Sequence, residues 1–245
     1  MSAAATRLSF AGGLDPARLA PTFARHGRIH LPGVFAEPAA KAVGRTLAGT
    51  VPWHKSLTAH GKSYDVGLDT LEAMPPERRA ELEAAIAEAG RIGFQYLFDA
   101  WRLSDLMEAG QRSGGALAPL EAVYDFLNGP VFLDFVRKLT NDPRPAYVDA
   151  QATRYRAGDF LTAHDDAVEG KNRLYAYVLN FTPVWRPDWG GLLLFYDHDG
   201  HVAEGYTPSF NALNIFRVPQ LHAVTQVASF VAAERLSITG WIRER

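Results

Sequence analysis

The sequence predicts an α+β fold in which helices precede and brace a sandwich or jelly roll of short strands. Helix-forming patterns dominate the first part of the chain, where several segments begin with proline. After Pro145 the chain changes to short β-rich runs separated by turn residues, a spacing typical of a sandwich or jelly roll. We therefore expect a mainly helical part at residues 1–145, packed on a strand-rich core at residues 146–245, within one structural domain.

The helices are predicted from their start and stop signals. Asp15 is a suitable N-cap before Pro16, and Gly27 ends the resulting short helix. A strand at residues 28–34 is predicted to follow. Further helices are predicted at residues 38–47, from residue 76 onward, and at residues 119–127 and 130–139.

The strands of the core are predicted from β-branched and aromatic runs between turn residues. They are expected at residues 147–155, 173–181, 191–196, 212–217, 223–227 and 236–242. The polar segment at residues 197–201 contains His198 and His201, and we interpret it as a hairpin loop and not as a second metal site.

Composition excludes several classes of function. The chain has 245 residues, of which 47% are hydrophobic, and this suffices for a sizeable core. A net charge of −2 gives no electrostatic case for a nucleic-acid or membrane partner. The absence of cysteine excludes disulfides and thiolate metal sites. Residues 1–7 lack the pattern of a secretory signal, so a cytoplasmic protein is expected.

Three residues of the core form a candidate metal site. Two imidazoles and one carboxylate, with open positions left over, are the ligand set of non-haem Fe(II) oxygenases, and His164, Asp166 and His222 supply it. Residues i and i+2 of a strand face the same side, so we expect His164 and Asp166 to bind one ion from a single strand. His222 would arrive from a distant strand, leaving positions for O₂ and a chelating co-substrate. Arg235 offers a planar fork for a carboxylate.

Further motifs surround these residues. YRAGDFL at residues 155–161 leads into His164, and VLN at residues 178–180 is followed by Trp185 and a Gly190-Gly191 pair. Pro208, Leu213 and Phe216 precede His222 at fixed spacing. This ordered set resembles the 2-oxoglutarate- and Fe(II)-dependent dioxygenases, specifically the prolyl 4-hydroxylase-like branch with the oxygen-sensing and ribosomal-protein prolyl hydroxylases. The resemblance covers roughly residues 147–242 and implies a double-stranded β-helix (jelly roll) core.

The resemblance also implies roles for individual residues. His164, Asp166 and His222 would hold Fe(II), and Arg235 would pair with the distal carboxylate of 2-oxoglutarate. Tyr155 is a candidate hydroxyl donor to that co-substrate or a packing residue, and Ser237 shares a face with Arg235 and could assist. Some relatives have tyrosine at the position of Val178, and valine cannot make the tyrosine's contact. No side chain beyond the metal centre is expected to be catalytic, and ascorbate is a family expectation.

The resemblance implies hydroxylation of an unactivated C–H bond in a prolyl residue of a protein or peptide, with O₂ consumed and succinate and CO₂ released. A small-molecule hydroxylase is the alternative within this class. The polar and aromatic residues 53–64 form either a lid over the substrate or an ordinary connector. Nucleic-acid demethylation is disfavoured because Trp241 stands where those relatives have a second arginine.

Two alternatives lie outside the dioxygenases. The chain could be a non-catalytic jelly-roll binding module that keeps the motif as a relic, although the His/Asp/His/Arg set is intact. It could also be a metal-dependent isomerase or hydrolase, which would not need Arg235.

Overall fold

The computed structural model describes residues 8–245; residues 1–7, in which the sequence shows no secretory signal pattern, lie outside the described residues. The described chain forms seven α-helices and thirteen β-strands. The helices are α1 (Pro16–His26), α2 (Glu37–Gly49), α3 (Leu68–Glu72), α4 (Pro76–Ile92), α5 (Leu103–Glu108), α6 (Ala118–Leu127) and α7 (Pro130–Thr140). The strands are β1 (Arg28–Pro32), β2 (His54–Ala59), β3 (Lys62–Gly67), β4 (Tyr96–Trp101), β5 (Tyr147–Val148), β6 (Gln151–Tyr155), β7 (Phe160–His164), β8 (Arg173–Asn180), β9 (Leu193–Tyr196), β10 (Val202–Tyr206), β11 (Ala212–Arg217), β12 (His222–Val224) and β13 (Arg235–Arg243). No helix within this range is both long and apolar enough to cross a bilayer.

All the strands belong to one antiparallel sheet. Its main path runs β1-β11-β8-β13-β6-β4-β7-β12-β9-β10, with the β2–β3 hairpin attached through β4 and with β5 paired to β13. The sheet curls until its two edges meet, where the Arg28 guanidinium of β1 lies 2.6 Å from the Glu204 carboxylate of β10. This nearly closed barrel confirms the predicted α+β class with a jelly-roll core.

Local signals explain the helices and where they pack. The Asp15 carboxylate accepts a hydrogen bond from the Ala17 amide at 3.0 Å, and Gly27 ends α1 in the left-handed region with φ 68°. The five predicted helices are all present, with bounds that differ by a few residues. Buried side chains of α6 and α7, such as Leu120 and Phe132, pack in one cluster with Tyr177 of β8. The helices therefore brace the outer face of the barrel, as expected.

The part of the chain before residue 145 contains more strand than the sequence indicated. Residues 53–64 form β2 and the start of β3, so they are more than a plain connector, and their role as a lid stays a prediction. The buried Lys55 ammonium contacts the carboxylates of Asp99 at 2.7 Å and Asp159 at 2.9 Å, so its charge is compensated inside the fold. Strands β2 and β3 were missed because the turn at His60-Gly61, where both residues have positive φ, was not recognised in the sequence. Strand β4 was missed because its partners lie far away along the chain. The division at residue 145 stays a prediction.

Candidate metal centre and co-substrate cavity

Two adjacent strands bring the candidate metal ligands together. In the ladder between β7 and β12, His164 and His222 are Cα partners, and their ring centroids lie 4.1 Å apart. The Asp166 carboxylate oxygens lie 3.4 Å from the Nε2 atom of each histidine. One donor atom from each of the three residues lies within 4.8 Å of the others. Within residues 8–245 this is the one group of three or more potential ligands at such spacing.

Asp166 reaches this place by a different backbone route from the one expected. Strand β7 ends at His164, and Asp166 lies beyond it with φ 64°, in the left-handed region. The prediction that both residues belong to one extended strand is therefore wrong, although the carboxylate does face the two imidazoles. Asp165 points into a local turn, where its carboxylate accepts a hydrogen bond from the Ala167 amide at 3.0 Å.

Backbone carbonyls orient both imidazoles. The Nδ1 atom of His164 lies 2.9 Å from the Thr162 oxygen, and Nδ1 of His222 lies 2.8 Å from the Gln220 oxygen. A carbonyl oxygen can only accept, so each Nδ1 carries the hydrogen in these bonds. In a neutral imidazole this arrangement leaves the lone pair on Nε2, the atom that faces Asp166, which is the tautomer that a metal-binding histidine needs.

The protonation states also suit a divalent cation. Burial, followed by the charge of His164, lowers the pKa of His222 to about 4, so the imidazole is neutral at pH 7. Burial acts to raise the pKa of Asp166, but the neighbouring histidines and Trp241 lower it below its usual value. The site thus offers two imidazoles and one carboxylate, a donor set that fits Fe(II).

A buried cation, Arg235, lines the cavity that also contains the three candidate metal ligands. Arg235 is 2% exposed and opposes Tyr155 in the β13–β6 ladder, with its guanidinium carbon 4.8 Å from the tyrosine ring centroid. Burial lowers the pKa of Arg235 and raises that of Tyr155. The guanidinium makes no ion pair with a carboxylate of residues 8–245, and its Nε atom has no hydrogen-bond partner there. A buried, uncompensated cation of this kind calls for an anionic ligand.

The walls between the two ends are mostly apolar. They are formed by Phe98, Leu161, Ala176, Val178, Leu193, Phe216 and Val224. Two hydroxyl-bearing residues, Thr153 and Thr239, also line the cavity and were missed. Ser237 is fully buried behind Thr153 and exchanges a 2.8 Å hydrogen bond with its hydroxyl. The alternation 151-153-155 and 235-237-239-241 along the paired strands was the signal that could have found the threonines.

A polar depression lies beside the cavity. Gln151, Thr239 and Trp241 line both the cavity and the depression, so the two share a wall. The depression is also lined by exposed charged side chains, including those of Arg102 and Lys171. A polar, charged surface therefore lies next to the cavity that contains the candidate metal ligands.

The remaining motif residues support the frame of the site. The Trp185 indole donates a 2.8 Å hydrogen bond to the Gly190 carbonyl, and the Gly191 amide donates to Thr225 at 3.0 Å. A Cβ atom on Gly190 would lie 2.0 Å from the Gln226 carbonyl oxygen. The glycine pair thus permits a close approach of this loop to the segment that follows β12. His198 and His201 lie in and beside the predicted β9–β10 turn.

Fold and site together define a class, namely jelly-roll proteins that present two imidazoles and one carboxylate to a cavity with a buried arginine. The sequence pattern of the 2OG-Fe(II) oxygenase superfamily matches residues 150–243. This part of the chain is similar to that superfamily and, within it, to prolyl hydroxylases.

Curated relatives are similar over part of this chain. Mouse prolyl 3-hydroxylase OGFOD1 is 38% identical over 101 residues, which are 38% of this chain and 18% of that protein. The Drosophila melanogaster prolyl 3-hydroxylase sudestada1 is 30% identical over 120 residues, covering 44% of this chain and 22% of the relative. The chain therefore spans only about a fifth of the length of the curated relatives it matches.

Solved structures are similar over nearly the whole chain and show the fold. A Pseudomonas putida prolyl-4-hydroxylase superposes with a TM-score of 0.57 at 17% identity, over 94% of this chain and 99% of that one. A Trichoplax adhaerens prolyl hydroxylase, solved with a peptide of a hypoxia-inducible factor, has a TM-score of 0.61 at 13% identity, over 94% and 90% of the two chains.

Proposed function

We propose that the protein is an Fe(II)- and 2-oxoglutarate-dependent dioxygenase that hydroxylates a prolyl residue of a protein or peptide and releases succinate and CO₂. One observation carries the proposal. One cavity is lined both by a buried, uncompensated arginine and by a two-histidine, one-carboxylate group. A dianion with a chelating end would satisfy both at once.

In this proposal His164, Asp166 and His222 hold the iron. Arg235 pairs with the distal carboxylate of 2-oxoglutarate, Tyr155 lies beside it, and Ser237 acts through its hydrogen bond to Thr153. When bound, the metal and co-substrate supply the oxidising chemistry that couples loss of CO₂ from 2-oxoglutarate to hydroxylation of the substrate.

The chain itself supplies orientation and exclusion of water. The two histidines are oriented by backbone carbonyls, so their Nε2 atoms are in place before a ligand arrives. The apolar walls between Arg235 and the metal group exclude water, which strengthens the interaction between the guanidinium and a carboxylate. The planar guanidinium fork fixes the angle of that carboxylate. No protein side chain is required to act as a nucleophile or a general base.

The surface next to the cavity favours a polypeptide as the substrate. The depression beside Trp241 is open and carries exposed charged side chains, as a surface that binds an extended chain requires. The relatives in mouse and fly are named prolyl 3-hydroxylases, and the Trichoplax structure contains a peptide. Hydroxylation of a peptide in a peptide screen would exclude the alternative that the substrate is a free small molecule.

The proposal also includes a reducing agent and a cellular location. Ascorbate would keep the iron ferrous, and its omission should shorten the time over which turnover stays linear. A cytoplasmic location is a further part of the proposal, and cell fractionation with an antibody to the chain checks it.

The proposal is tested by 2-oxoglutarate binding and succinate formation. Purified full-length protein is assayed with Fe(II), ascorbate and 2-oxoglutarate, with and without proline-containing peptides. We expect succinate formation that a substrate peptide stimulates, that His164→Ala abolishes, and that Arg235→Ala reduces severely. A metal-dependent isomerase or hydrolase would tolerate Arg235→Ala, and a relic binding module would bind no 2-oxoglutarate when loaded with metal. Either result would reject the proposal.

A further inference from the structure

Arg173 is a half-buried cation whose partners are not carboxylates. It begins β8, and burial lowers its pKa. Its Nη1 atom donates a 3.0 Å hydrogen bond to the backbone oxygen of Asp166. Its guanidinium carbon lies 3.4 Å from the centroid of the Trp241 ring, so the two planar groups are in close contact. Within residues 8–245 it forms no direct ion pair, and its contacts with Asp166 and Trp241 therefore need an explanation.

The backbone conformation of Asp166 must be stabilised by its surroundings. It lies outside the β7 ladder, so no strand pairing holds its backbone. Its φ of 64° is in the left-handed region, which a residue other than glycine adopts only where its surroundings favour it. The loop that it begins ends at Asn172, another left-handed residue with φ 50°. Arg173 follows directly and bonds back across this loop to Asp166.

Trp241 holds Arg173 in place beside Asp166. It lies on β13, on the face that also carries Arg235 and Thr239, and it lines the cavity together with Asp166. The Arg173 guanidinium lies on its ring. Arg173 therefore holds the Asp166 backbone, and Trp241 holds the guanidinium of Arg173.

We propose that Arg173 and Trp241 form a positioning pair that holds Asp166 in its metal-binding conformation and thereby sets the affinity and geometry of the metal site. This rests on the proposed function, because it requires Asp166 to be a ligand. The pair acts through Asp166 and not on the reacting atoms. Partners that orient a ligand in this way commonly change metal affinity by about 10–100-fold when they are removed. Lysine is not an equivalent of Arg173, because it lacks the planar surface that lies on the indole.

The chain offers a matched control. Arg243 is the ladder partner of Arg173 and lines the same depression, so the two residues share charge and location. The Arg243 guanidinium, however, pairs with the Asp149 carboxylate at 3.2 Å. Arg243→Ala removes the same charge from the same surface without touching the support of Asp166.

The test is a titration of the metal-free, full-length protein with Co(II) in the absence of O₂, followed by the visible absorption of the bound ion. We expect Arg173→Ala to weaken Co(II) binding about 10-fold or more and to shift the absorption band. Trp241→Phe, which gives the Arg173 guanidinium a smaller ring to lie on, should shift the band as well. Arg243→Ala should match the wild type in both. If Arg173→Ala fails to fold, Arg173→Lys takes its place with the same expected direction.

Wild-type affinity and an unchanged band in the Arg173 variant would overturn the proposal, and so would an equal loss in Arg243→Ala. An unshifted band in Trp241→Phe would remove Trp241 from the pair. Failure of the proposed function looks different. In that case the wild-type protein would bind no Co(II), or His164→Ala would bind it as tightly as the wild type, and the positioning pair would fall with it.

Discussion

His164 and His222 face each other as direct Cα partners of adjacent antiparallel strands, with their rings 4.1 Å apart, although 58 residues separate them along the chain (222 − 164). This pairing explains how two distant sequence motifs produce one donor group. The β7–β12 register fixes the distance between the imidazoles, and of the three candidate ligands only Asp166 lies on a loop. The geometry of the site is therefore most rigid where the strands pair and most sensitive to substitution around Asp166.

The lowered pKa of His222 predicts a pH-dependent stability of the metal-free protein. Its imidazole stays neutral in the fold down to about pH 4, whereas in the unfolded chain it takes up a proton below about pH 6.5. The stability that it contributes is present above pH 6.5 and is lost as the pH falls from 6.5 to about 4. The loss amounts to at most about 3 kcal/mol.

Urea unfolding of metal-free protein across this pH range measures the effect. His222→Gln cannot titrate, so the difference in unfolding free energy between it and the wild type should narrow or reverse as the pH falls. A difference that stays constant with pH would contradict the prediction.

Arg235→Met should have opposite effects on binding and stability. It removes the proposed carboxylate partner, so we expect the Kd for 2-oxoglutarate to rise about 10- to 100-fold, the loss of one or two charge-assisted hydrogen bonds. It also removes a buried charge that lacks an anionic partner, so the Tm of the ligand-free protein should rise. Calorimetric binding to Mn(II)-loaded protein without O₂ and a thermal melt measure the two.

Arg217→Met is the control, since this exposed arginine lies over Phe23 at 5.7 Å on another part of the surface. It should change neither the affinity nor, by much, the Tm. An unchanged Kd in Arg235→Met would remove Arg235 from the co-substrate site.

Gly190→Ala should be far more destabilising than Gly200→Ala. Both glycines have positive φ, 72° and 85°, so a residue with a Cβ is strained at either position. Only at Gly190 would the new Cβ lie 2.0 Å from a backbone oxygen, that of Gln226. We expect Gly190→Ala to cost more than about 4 kcal/mol of unfolding free energy. Equal losses in urea unfolding would show that the close approach is not important.

Phe94 should contribute to substrate binding. Its side chain is 54% exposed, and its ring lies 5.2 Å from the His164 ring, next to the metal-ligand group. An exposed aromatic ring beside the site can pack against a proline ring. We expect Phe94→Ala to raise KM for a substrate peptide about 10-fold, with unchanged Kd for 2-oxoglutarate. Ile92→Ala removes an even more exposed side chain of the same segment and should leave KM unaltered; an equal effect of both variants would contradict a specific role for Phe94.

Much of the fold could be predicted from the sequence because many helices and strands are marked by signals within their own segments. Caps and prolines mark the helices, as at Asp15 and Pro16, and alternating apolar runs mark strands such as β11, whose bounds were predicted correctly. Strands β2–β4 were not predicted, since the β2–β3 turn was not recognised and β4 pairs with strands distant in sequence. From the sequence alone Lys55 would be placed on the surface, because nothing shows that Asp99 and Asp159 lie beside it.

The site was predictable to a similar degree. Residue types and spacing led to His164, Asp166, His222 and Arg235, and the structure brings the first three together in one group. The left-handed backbone of Asp166 could not be read from the sequence, because the i, i+2 rule assumes that the strand continues. Arg173 escaped notice for a related reason: its role depends on a loop that folds back.

The most direct test of the account is the fate of O₂. A dioxygenase of this kind inserts one oxygen atom of O₂ into succinate and the other into the hydroxylated substrate. Purified protein is therefore supplied with isotope-labelled O₂, 2-oxoglutarate, Fe(II) and a proline-containing peptide, and both products are analysed by mass spectrometry. The account predicts one labelled oxygen in succinate and one in the peptide's prolyl residue, with neither formed by His164→Ala. Unlabelled products, or no product from protein that binds both metal and 2-oxoglutarate in the presence of a broad set of proline peptides, would contradict it.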